Sequence, residues 1–97
     1  MALVQGKMAK RGASASDVLS RAESGEPDAL FNLGLMYSTG DGAPLDYVTA
    51  HKWFNLAAMA GSEEARAVRA ELARDMAPAE IAEAQRQARA WQRQHAH

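Results

Sequence analysis

A chain of 97 residues with a formal net charge of −1 allows one domain and carries no concentrated basic surface, which argues against nucleic acid as its partner. It contains no cysteine, which excludes a disulfide framework and thiolate chemistry. No apolar run approaches the ~20 residues of a membrane span.

Residues 1–13 hold Lys7, Lys10 and Arg11. The apolar part, Ala2-Leu3-Val4, is too short for a signal-peptide core. A disordered leader is the expectation for this segment, with a basic arm for a membrane or an acidic partner as the alternative. A cytoplasmic location is expected with it.

Over 14–25 the spacing of Val18, Leu19 and Ala22 predicts a short capping helix, opened by Ser14 or Ser16. The segment 27–61, PDALFNLGLMYSTGDGAPLDYVTAHKWFNLAAMAG, predicts two amphipathic helices joined by a Gly- and Pro-marked loop. Pro27 suits the first helical position, where its missing N–H is unpaired anyway. Ala29, Leu30, Leu33, Gly34 and Tyr37 then share one face, and Phe31 and Leu35 make a second apolar strip beside it. Gly34 in mid-helix costs roughly 1 kcal/mol against Ala, which points to a neighbouring helix approaching too closely for a side chain. Gly40, Gly42 and Pro44 end that helix. Asp46 caps the next, in which Ala50, Trp53, Phe54, Ala57 and Ala58 recur at three- and four-residue steps, and Gly61 falls just past its end.

Residues 62–94 predict a further helix pair. Ser62 caps a third helix, with Glu63 and Glu64 facing its positive dipole end and Ala65, Val68, Leu72 and Met76 as its apolar stripe. Pro78 opens a last helix to about Gln94, edged by Ile81, Ala84, Ala88 and Trp91. Ile81, Ala88 and Trp91 are expected to cover Ala65, Val68 and Leu72. The segment Ala22 to Ala29 echoes Ala58 to Ala65 at an offset of about 36 residues, a period typical of helical repeats. The first short helix therefore corresponds to the second helix of a preceding unit. At the same offset Leu30, Leu33, Gly34 and Tyr37 become Arg66, Arg69, Ala70 and Ala73. That is the more polar face expected of a solenoid end.

The runs A-L-F-N-L-G-L-M-Y, G-D-G-A-P-L-D-Y and A-H-K-W-F-N-L-A-A-M-A-G closely resemble the Sel-1-like repeat, a relative of the tetratricopeptide repeat. Ala29, Leu33, Gly34, Tyr37, Gly40, Gly42, Pro44, Asp46, Ala50, Trp53, Ala57, Ala58 and Gly61 carry the match. The resemblance implies an all-α fold, a short right-handed α-solenoid of antiparallel helix pairs. About four helices are expected. It also implies a role in protein–protein contact. In such superhelices the first helix of each pair lines the concave surface, which nominates Asp28, Phe31, Asn32, Leu35 and Ser38, continued by Glu64, Ala67, Glu71 and Arg74 on the third helix. An amphipathic helix or an extended segment would suit that groove. Two readings of Phe31 and Leu35 stay open: groove, or core covered by the first helix or the leader.

Little in the sequence carries chemistry. There is no P-loop or dinucleotide fingerprint. His51 has no nucleophile or carboxylate partner at a useful spacing and reads as a packing or surface residue. Gly40-Asp41-Gly42 reads as a connector. His95 and His97 are two ligands on a helix end, too few for a structural metal. Trp53 and Trp91 read as plugs between helices rather than a ligand-stacking pair. No catalytic residue, cofactor or metal is therefore expected. The expected function is a non-enzymatic adaptor or scaffold for a protein or peptide partner, without nucleic acid or a membrane span, as a monomer or weak homo-oligomer. Homo-oligomerisation as the role itself is the first alternative. A hydrolase related to cysteine-rich relatives is the second, disfavoured because those cysteines are missing.

Overall fold

The computed structural model describes residues 15–95, and the leader expected over 1–13 lies outside them, as do Ser14 and His97. The described residues form five helices and no strand: α1 (Ala15–Glu23), α2 (Pro27–Thr39), α3 (Tyr47–Met59), α4 (Glu63–Ala73) and α5 (Pro78–Gln94). They are the capping helix and the two helix pairs that the sequence predicts. Ser16 lies inside α1 and does not open it.

Local chemistry sets the boundaries. Pro27 is the first residue of α2, and its end is closed by Gly40, whose N–H reaches the Met36 carbonyl. The Asp46 carboxylate accepts from the N–H groups of Val48 and Thr49 at 3.1 and 3.2 Å and from the Thr49 hydroxyl at 2.9 Å. It thereby satisfies donors that a helix start leaves unpaired. Ser62 Oγ accepts from Ala65 N–H at 3.0 Å. At α5 the cap residue is Ala77, with no side-chain acceptor, and Glu80 reaches back to the Ala77 N–H at 2.8 Å, one arm of a capping box.

The echo between Ala22–Ala29 and Ala58–Ala65 is one turn built twice. Gly25 and Gly61 both have positive φ, 85° and 110°, where a side chain would be strained. Each donates to the carbonyl three residues back, Gly25 to Ala22 at 2.8 Å and Gly61 to Ala58 at 3.0 Å. Glu26 and Ser62 each reach a carbonyl five back. All four alanines that bound the two turns are buried, so α1 enters α2 as α3 enters α4.

Helix α3 is the centre of the molecule. It packs against α2, α4 and α5, and α1 packs on α2. Its buried residues Trp53, Leu56, Ala57 and Ala58 join Val18, Ala22, Leu30 and Leu33 in one cluster. Ala50 and Phe54 join Leu72 and Met76 in a second. Trp53 and Trp91 meet edge to face, with ring centroids 5.5 Å apart, and so plug the junction of α3 and α5.

The expected cover of α4 by the last helix is met only in part. Ile81 does lie against the Leu72 and Met76 cluster, and Ala88 shares a cluster with Ala65. The main packing of α5, however, is along α3, and α4 and α5 do not lie along each other as a closed pair. Ala84 and Ala88 are almost fully buried. Small side chains at these two positions let the α5 backbone come close to its neighbour.

Candidate partner-binding face

The nine residues nominated by the sequence fall on two helices. On α2, buried Ala29, Leu30, Leu33 and Gly34 fix the inner face. Helical geometry then places Asp28, Phe31, Leu35 and Ser38 on the flank beyond Gly34. Asp28 and Asn32 are exposed, Leu35 is 36% exposed, and Phe31 and Ser38 are half-buried. Ser38 and Thr39 both donate their hydroxyls to the Leu35 carbonyl, at 3.2 and 2.8 Å. On α4, Glu64, Ala67, Glu71 and Arg74 are all exposed, and Arg74 is the C-cap residue.

Phe54 joins the two rows. Its ring is fully buried. The ring of Phe31 lies 5.6 Å from it at a 45° tilt. Phe31 from α2 and Val68 from α4 both pack on the cluster of Ala50, Phe54, Leu72 and Met76. Helices α2 and α4 therefore reach one apolar cluster, through Phe31 and Val68. No hydrogen bond or ion pair joins the rows among the described residues. Phe31 also touches the other core cluster. It is half-buried, with packing on both core clusters and the rest of its ring at the surface.

Two open cavities lie elsewhere. One of about 320 Å³ sits between α1, α2 and the loop, lined among others by Leu19, Leu33, Met36, Tyr37, Pro44 and Trp53. Another of about 340 Å³ lies beside Leu30, Leu56, Met59, Trp91 and His95. None of the nine nominated residues lines either. Sequence reasoning did not find them, and the one available signal was the side-chain-poor run Gly42-Ala43-Pro44.

The polar interior is small. His51 is 3% exposed, and its Nδ1 finds no hydrogen-bond partner among the described residues, nor does Trp53 Nε1. Burial pushes the His51 imidazole below its usual range, and the positive Arg69 nearby adds to this. Burial also lowers the Lys52 ammonium, partly offset by Asp46. Its Nζ lies 4.4 Å from the centroid of the Trp53 ring, a cation–π contact. Arg69 donates to Asn55 Oδ1 across the α3–α4 contact. On α5, Glu83 and Arg86 pair at 2.5 Å, and Arg86 with Gln87 holds the Glu83 carboxyl down at about 2. His95 stacks on Trp91 at 3.8 Å, with Nδ1 2.9 Å from the Trp91 carbonyl. Among the described residues no three His, Asp or Glu side chains gather as a metal site would need, and no helix is long and apolar enough to cross a membrane.

In comparison with protein families, the model of the Sel1 repeat fits residues 27–62, which are α2, its loop, α3 and the Ser62 cap. Comparison with curated proteins and with solved structures gave no significant match. Sel1 repeats generally mediate protein–protein interaction and are typically non-catalytic. The matched helix pair, flanked by α1 in the position of a preceding second helix, is a Sel1 repeat, and the all-helical arrangement around it is a tetratricopeptide-like solenoid.

Proposed function

We propose that this chain is a non-enzymatic adaptor or scaffold that holds a peptide or a helix of a partner protein along the α2–α4 face. Asp28, Phe31, Asn32, Leu35 and Ser38 form one bank, and Glu64, Ala67, Glu71 and Arg74 the other. The observation that carries this reading is the half-buried Phe31 beside exposed Leu35. Two large apolar side chains next to one another on a small protein's surface gain by being covered, and a laid-in helix presents apolar residues at the matching three- and four-residue steps.

The test is capture of partners by the intact protein and by the Leu35→Glu variant. Leu35 is exposed enough for the charge to stay in solvent, so the variant keeps its helical circular dichroism and its melting transition. Loss of wild-type partners from this folded variant supports the proposal. A folded Leu35→Glu protein that retains all of them refutes it.

A further inference from the structure

Along α4 the charges alternate in sequence, yet the fold sorts them. Buried Ala65 and Leu72 fix the inner face of α4, and Val68 turns toward the cluster that Phe31 also touches. Glu64 and Glu71 stand one turn before and after Val68, on the same flank. Arg66 and Arg69 leave from the opposite flank, where Arg69 is held by Asn55. On α2, Asp28 precedes Phe31 by one turn. The apolar cluster that Phe31 and Val68 both reach thus has Asp28 on its α2 side and Glu64 and Glu71 on its α4 side, with Arg74 at the α4 C-cap. Among the described residues Asp28, Glu64 and Glu71 make no ion pair and no side-chain hydrogen bond.

We infer that the segment this face takes is cationic: an amphipathic helix whose apolar edge lies on Phe31 and Leu35 and whose flanking lysines or arginines meet Asp28, Glu64 and Glu71. The inference rests on the α2–α4 face being the binding face and adds the charge of its occupant. Unpaired carboxylates around an apolar strip attract opposite charge and repel like charge, which sets specificity more than raw affinity. Glu64 and Glu71 are two helical turns apart, about 10 Å along the axis. Basic residues seven apart on a partner helix lie at the same separation.

The experiment is a fluorescence-anisotropy titration of the full chain with two labelled synthetic helices that share one leucine pattern, one with lysine and one with glutamate at the flanking positions. The lysine peptide binds at least tenfold tighter at low salt, and the gap narrows as salt screens it. Glu71→Gln narrows the gap as well, whereas Glu23→Gln, which removes the same charge from α1 on the other side of α2, leaves it unchanged. Leu35→Ser weakens both peptides. Equal binding of the two peptides, with Leu35→Ser weakening both, overturns the charge assignment and leaves the binding face standing. Binding that neither Leu35→Ser nor Glu71→Gln alters overturns both. Preference for the glutamate peptide overturns the charge assignment alone.

Discussion

A β-carbon placed on Gly34 would lie 2.4 Å from two ring carbons of Phe54. Gly34 is the point at which α2 rests on the flat of that ring, and Phe54, fully buried, has no solvent to retreat into. Helix propensity alone favours alanine here by about 1 kcal/mol. Packing reverses the sign. Gly34→Ala destabilises the fold by about 1–3 kcal/mol, the usual cost of overpacking, and Gly34→Leu by more. Gly34→Ala combined with Phe54→Leu is less destabilised than the sum of the single changes, because the removed ring carbons make the room. Urea denaturation of the four proteins checks this, and additive losses would mean the two sites do not touch.

Phe31 and Leu35 should separate in stability. Phe31 shares a tilted ring contact with Phe54 and is half-buried, so Phe31→Glu costs about 1–3 kcal/mol through lost packing while the carboxylate still reaches water. Leu35→Glu stays within about 0.5 kcal/mol of wild type. Thermal melts at one pH measure both. A Phe31→Glu chain that fails to fold at all would place Phe31 wholly in the core.

Ending the chain at Ala77 removes α5 and with it the cover over Trp53, Leu56 and Ala57. A domain of this size has only a few kcal/mol to lose, and the uncovered patch is apolar. The shortened protein should self-associate in size-exclusion chromatography and unfold over a broader urea range. A monomeric, equally cooperative product would show that α5 adds nothing to the core.

Acid should weaken the fold through His51. Its folded-state pKa lies below the ordinary value of 6.5 because of burial and the charge of Arg69. Below 6.5 the unfolded chain therefore binds a proton that the folded chain refuses. Stability is intact above that value and declines as pH falls from it toward the folded pKa. Glu83, held at about 2, does not titrate in the same window. His51→Gln flattens the pH 5–7 segment of a stability profile, and a profile with the same slope in both proteins would assign the effect elsewhere.

Much of this fold was legible residue by residue. Pro27, Asp46, Ser62 and Pro78 mark helix starts through local backbone chemistry, which needs no tertiary contact to act. The paired turns at Gly25 and Gly61 were legible because the sequence writes them twice. The docking of α5 was not. An apolar edge of Ile81, Ala84, Ala88 and Trp91 says which side of a helix faces inward, but not which neighbour meets it. His51 was hidden for a related reason: a polar residue flanked by Lys52 and Ala50 gives no sign that the ring points between helices. The sorting of Glu64 and Glu71 from Arg66 and Arg69 was legible through the 36-residue offset, which sets the two arginines at the positions of Leu30 and Leu33.

The Trp53–Trp91 contact makes the protein its own optical reporter. These are the only two tryptophans in the chain, and both sit at the seam between α3 and α5, one beneath Lys52 and the other against the imidazole of His95. Indole emission therefore watches that seam, whereas near-ultraviolet dichroism also carries Tyr37 and Tyr47. If the last helix loosens before the rest, the indole signals will change at a lower denaturant concentration than the far-ultraviolet signal of the helices. Each midpoint multiplied by the m-value of its own transition would then give the free energies of releasing one helix and of melting the repeat.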